Sequence, residues 1–135
     1  MGIMQRLTTD VGLLWLRVLT GLGIAYHGYG KVFSGDLSGF AEGVASMGFP
    51  APMFFAWVAA LSEFLGGICL TLGLFTRLAA FMVFATMFIA VFIHHADDPF
   101  SKKEKALAYW TVAGALFVLG PGKYSLDHQI KKERE

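Results

Sequence analysis

Between Met53 and Leu74 the chain is apolar almost throughout, yet it carries one carboxylate, Glu63, close to the middle and followed soon after by Gly66 and Gly67. A run of about 20 apolar residues matches the hydrocarbon thickness of a bilayer when wound as a helix. A carboxylate at that depth must be paired or protonated, because an isolated charge at the bilayer centre costs from about 2.5 to more than 10 kcal/mol. The run therefore fixes the solvent of the fold as lipid. It also requires a polar partner for Glu63 elsewhere in the chain.

Composition agrees with that solvent. Of 135 residues, 56% are hydrophobic and 16% charged, against roughly 25% charged in a soluble domain. A net charge of +1 with no clustered basic face excludes a nucleic-acid footprint. The single cysteine, Cys69, excludes an internal disulfide or a Cys-x-x-Cys redox pair, and reads as a small apolar core residue.

The pattern predicts an all-α integral membrane four-helix bundle in a single domain over 1–135, with spans near 11–33, 53–74, 78–95 and 102–120. The first apolar run continues past the window in which a signal peptide would end, so it reads as a retained span. Thr8, Thr9 and Asp10 are its N-cap candidates. Arg17, Gly21, Gly28 and Lys31 share one stripe of this helix with His27 on its flank, making one face polar and small. Between spans one and two, Leu37, Phe40, Ala41, Val44 and Met47 recur at helical spacing. This predicts either a short interfacial helix able to lid a cavity or a surface loop with incidental periodicity. The short Gly73 to Arg77 connection makes spans two and three antiparallel neighbours. Ser101 and Glu104 have capping-box spacing at the start of a fourth helix, which stops at Gly120-Pro121-Gly122. The charged tail from Lys123 reads as cytoplasmic or frayed.

Lysine and arginine placement orients the chain. Arg6, Arg77, Lys123, Lys131, Lys132 and Arg134 fall on one side against Lys31, Lys102, Lys103 and Lys105 on the other. That asymmetry puts both termini in the cytoplasm. Trp15 and Tyr124 belong to one interface, and Tyr26, Tyr29, Trp57, Tyr109 and Trp110 to the other.

Counting helical rise pairs Glu63 with Arg17, with Lys31 the weaker partner because it can snorkel to water. His27, Lys31, His94 and His95 then line one outward pocket with Glu63 at its floor. The pair reads either as a device that fixes helix packing or as the centre of a binding site. Imidazoles and carboxylates at His94, His95, Asp97 and Asp98 raise a metal, but adjacent side chains on a helix point about 100° apart. No metal site is expected.

Taken in order, several stretches resemble the DoxX family of small four-span membrane proteins: Leu16-Arg17, His27-Gly28-Tyr29-Gly30-Lys31, Gly48-Phe49-Pro50, Glu63-Phe64-Leu65-Gly66-Gly67, Leu72 to Arg77, His95, and Gly120 to Asp127. The resemblance implies a four-helix protein of the bacterial inner membrane with a link to quinone-dependent oxidoreduction or oxidative-stress systems. The chain has no cysteine pair, haem-attachment motif or nucleotide fingerprint, so electrons would come through a quinone, a partner redox subunit or an unseen cofactor. The leading expectation is a membrane component holding a small aromatic or quinone ligand in the bundle, with Arg17 and Glu63 placing polar groups and His27 or His95 exchanging protons. The other two are a non-enzymatic assembly or interaction partner, and a transporter or proton-pathway subunit acting as a homo-oligomer. Membrane lipid is a partner in all three.

Overall fold

The computed structural model describes residues 2–35 and 37–135. Among them the chain is all-α, with α1 Ile3–Phe33, α2 Leu37–Ser46, α3 Pro52–Leu72, α4 Thr76–Ile89 continuing into a π turn Ala90–His94, α5 Phe100–Leu119 and α6 Leu126–Arg134. Three segments are long and apolar enough to cross a membrane: α1, α3, and α4 with its π turn. Large apolar side chains such as Leu19, Leu22, Leu65, Leu78 and Val118 are exposed. A chain that turns so much hydrocarbon outward needs an apolar solvent around it.

Helix α1 packs along α3, α3 along α4, α4 along α5, and α5 closes back on α1. The first contact is the tightest, and glycine makes it so. A Cβ at Gly28 would collide with the Phe64 backbone, and one at Gly67 with the Ala25 backbone. Two helices can approach this closely only where side chains are absent. Leu13, Ile24, Leu70, Val83, Met87 and Leu116 fill the buried centre.

Several helix ends differ from the sequence expectations. Helix α1 starts at Ile3, and the Thr8 and Thr9 hydroxyls bond the Gln5 carbonyl within it instead of capping. Asp10 accepts a hydrogen bond from the Lys123 backbone. Helix α5 starts at Phe100 after Pro99, so Ser101 lies inside the first turn and the capping box does not form. Proline with its extended φ and ψ has already set the helix entry one residue earlier. The tail is not frayed: α6 begins at Leu126 and is capped by Ser125, whose hydroxyl accepts from the His128 N–H. Trp110 turns inward, stacking on Phe84 with ring centroids 5.2 Å apart.

The α3–α4 corner is built from distant parts of the chain. Gly73 takes φ 69° and closes α3, with the Leu74 N–H bonding the Cys69 carbonyl. Asp127, from α6, then accepts from the Phe75 and Thr76 N–H groups at 2.8 and 2.9 Å. It caps α4 from across the molecule. Through Asp10 with Lys123 and this cap, both ends of the chain meet at the same end of the bundle.

Candidate functional site

Glu63 is 3% exposed, and both its oxygens accept from the Lys31 ammonium, at 2.9 and 2.7 Å. The expected Arg17–Glu63 pair is not formed. Gly28 explains why. A Cβ there would lie 2.8 Å from the Glu63 carbonyl carbon, so Gly28 and Glu63 are at the same height. Lys31 stands one turn beyond Gly28, while Arg17 lies eleven positions before it, about 16 Å along the axis. That is beyond the reach of a guanidinium.

Arg17 works at the other end of the bundle. Its side chain is fully buried and donates to the Pro121 and Tyr124 carbonyls at 2.8 and 2.7 Å. It ties the segment between α5 and α6 to the base of α1. Nothing about this role was readable from spacing, because the partners are backbone oxygens more than a hundred positions away.

The Lys31 ammonium also lies 4.5 Å from the centre of the Phe40 ring on α2. It is thus held between a carboxylate on α3 and an aromatic face on α2. Beneath α2 this clamp borders a cavity of about 400 Å³. The cavity walls are chiefly apolar, with Phe40, Met47, Phe49, Phe55, Met82 and Ile89, and the polar groups are Lys31, Glu63, Ser62, Thr86 and His94. In α2, Ala41 and Val44 are buried and Glu42 and Ser46 are exposed, so its apolar stripe covers the cavity.

A second cavity of about 290 Å³ lies on the other side of the same ion pair. Its wall includes Lys31 and Glu63 with His27, His95, Lys102, Lys105 and Tyr109. The single outward pocket expected from sequence is therefore divided in two by Lys31–Glu63. The adjacent histidines touch edge-on, ring centroids 4.5 Å apart, yet His94 borders the first cavity and His95 the second. Successive side chains on a helix point about 100° apart, which is enough to place the two rings on different walls.

His95 Nδ1 and Asp98 Oδ2 share a hydrogen bond of 2.7 Å in the loop after the π turn. That bond, with the Lys102 charge nearby, holds the Asp98 carboxyl below its ordinary range. His27 rests edge-on against Tyr109, ring centroids 6.2 Å apart. Of the six residues singled out from sequence, five border the two cavities and Arg17 borders neither. Lys102, Lys105 and Tyr109 were missed, since on α5 they read as a solvated first turn and an interfacial aromatic. Their helical spacing, three and then four positions, was the available signal.

Residues 12–96 match the DoxX family. The chain belongs to the DoxX family. A relative in Escherichia coli K12, "Inner membrane protein YphA", is 34% identical over 126 residues, covering 87% of this chain and 89% of that protein. Another from the same strain, "Inner membrane protein YqjF", is 28% identical over 130 residues, covering 92% and 95%. A Bacillus subtilis protein named "Putative oxidoreductase CatD" is 34% identical over 91 residues, covering 67% of this chain and 65% of its own length. No solved structure matches the chain. With its outward-facing apolar helices, this DoxX protein is a protein of the bacterial inner membrane.

Proposed function

We propose that this DoxX protein is the membrane component of a quinone-linked redox or oxidative-stress system, holding a small aromatic or quinone-type ligand in the cavity beneath α2. The observation that carries the reading is the cavity itself: about 400 Å³ of aromatic and methionine surface with one ion pair in its wall. Small-molecule sites have this size and this makeup, a mostly apolar lining with few convergent polar groups. The name of the Bacillus subtilis relative, "Putative oxidoreductase CatD", points the same way.

The residues present fit such a ligand. Phe40, Phe49 and Phe55 offer ring faces for a flat molecule, and Met47 and Met82 adapt to its outline. Lys31 offers an ammonium donor to a carbonyl or phenolic oxygen, and Glu63 holds that lysine in place. His94 lines the same cavity and can donate or accept a hydrogen bond there. A quinone, when bound, supplies two-electron, two-proton redox chemistry; a partner redox subunit supplies the electrons, because this chain carries no redox group of its own.

The same reading has four spans in one domain over residues 1–135, with α5 as the fourth and α2 lying at the interface as a lid. Helix α5 has 20 residues and packs along α4. Its charged start, Lys102 to Lys105, stands at the water boundary and both termini lie in the cytoplasm.

A second reading, a non-enzymatic interaction partner or assembly factor, is favoured by one observation: Lys31 satisfies both Glu63 oxygens without any ligand. Mass spectrometry of small molecules extracted from the purified protein separates the two. The ligand reading expects a retained aromatic or quinone species in the native protein, depleted in Glu63→Gln and in Phe49→Ala while the protein stays folded. A folded native protein that retains none and does not take up added menaquinone or ubiquinone analogues supports the second reading instead.

A further inference from the structure

The second cavity has a charge balance unlike the first. Lys31 in its wall is already neutralised by Glu63. Across from that pair stand Lys102 and Lys105, and among the described residues neither has a carboxylate within 4.0 Å. Asp98, the acidic group that acts on Lys102, is engaged by His95. His27 and His95 add two imidazoles and Tyr109 a hydroxyl. The wall therefore presents two ammonium groups outside any ion pair, two imidazoles and a hydroxyl around about 290 Å³ of space. Lys102 and Lys105 also sit in the opening turns of α5, where the helix end adds positive potential.

Both lysines are exposed at the mouth of the cavity, so water reaches them and an anion competes with that water for their donors. In a chain with 16% charged residues, two lysines outside any ion pair on the border of one space favour an anion there. Their spacing suits a group with several acceptor oxygens, since each ammonium approaches as a point charge without the planar geometry an arginine imposes. The volume admits a headgroup or a small free anion and excludes a whole lipid.

We propose that this second cavity is an anion site that takes a phosphate-class group, held by Lys102 and Lys105 with Lys31 at its floor. The group is either the headgroup phosphate of an anionic lipid or a free small phosphate. The site shares the Lys31–Glu63 pair with the ligand cavity under α2, but its test needs no quinone.

The test uses the full chain in detergent and in nanodiscs. Inorganic phosphate is titrated by calorimetry, and retention of phosphatidylglycerol against phosphatidylcholine is followed by native mass spectrometry. The variants are Lys102→Gln, Lys105→Gln, the double variant, and Lys103→Gln, whose ammonium instead bonds the Ala96 carbonyl away from the cavity. Calorimetric phosphate binding identifies a free anion, and selective phosphatidylglycerol retention without it identifies a lipid headgroup. In the arm that binds, affinity falls about tenfold or more in the double variant, in smaller steps in the single ones, and is unchanged in Lys103→Gln. The proposal is overturned if the native chain binds in neither arm, or if Lys103→Gln weakens binding as much as the cavity lysines do. Thermal midpoints of all four variants are recorded, and the single variants carry the comparison if the double one does not fold. Loss of quinone retention leaves this result untouched, as does its survival.

Discussion

The Lys31–Glu63 pair joins an almost fully buried carboxylate to a lysine whose side chain is 30% exposed, and that asymmetry predicts unequal mutational costs. Lys31→Met leaves Glu63 without a partner in a site water barely reaches, which for a broken buried pair costs about 3–5 kcal/mol. Glu63→Gln leaves an ammonium that can turn outward and hydrate, so its cost is smaller. Thermal unfolding in mild detergent should rank Lys31→Met well below Glu63→Gln; the reverse order would contradict a Lys31–Glu63 pair. A second residue-scale prediction concerns Asp98. Its carboxyl is depressed chiefly by the hydrogen bond to His95. A depressed folded value means the contact stabilises the loop at every pH above the ordinary carboxylate range, near 4, and is lost as pH falls through the depressed value. Melting curves between pH 3 and 7 should therefore show Asp98→Asn less acid-sensitive than the native chain, with the two converging at the acid end.

At the scale of elements, the seam between α1 and α3 carries the site, because it sets Lys31 opposite Glu63. Gly28→Val would drive a side chain into the Phe64 backbone and separate the helices, at about 1–3 kcal/mol or more. Gly30, two positions on, has nothing within 4 Å of its Cβ position, so Gly30→Ala should be neutral or stabilise α1 slightly. Comparing both by thermal midpoint distinguishes a packing seam from general glycine flexibility. The α4 cap gives another check. Asp127→Ala frees two N–H groups at the α3–α4 corner and should cost about 1–2 kcal/mol. Limited proteolysis should then cut near Pro121 to Ser125 sooner than in the native chain, because α6 loses its side-chain anchor at Phe75 and Thr76.

Across the whole molecule, Arg17, Asp10 and Asp127 bring both chain ends to one end of the bundle. The proposed four-span topology, with α5 as the fourth crossing, requires both ends on one side of the membrane, in keeping with that arrangement. Compartment-sensitive reporters fused at residue 135 and before residue 2 should thus report the same side, and a reporter in the loop at 96–98 the opposite side. Termini on opposite sides would mean three crossings and would remove α5 from the membrane.

The sequence by itself determined the solvent, the long helices and the fact that Glu63 needs a partner, while it missed the short α6. Each of these follows from apolar length, 3.6-residue periodicity and the cost of a bare charge in hydrocarbon. It also showed Phe40, Val44 and Met47 at helical spacing, but left open whether that segment is a helix or a surface loop. Only the tertiary structure decided which cation meets Glu63, because pairing depends on the register between two helices. That register is set by where Gly28 and Gly67 let backbones touch, and rise counted from helix ends read off a sequence cannot resolve it. The same holds for the two cavities. His94 and His95 are neighbours with rings in contact, yet they border different cavities, and in the wall of both stands Glu63, the carboxylate whose place in the chain was plain from the start and whose partner was not.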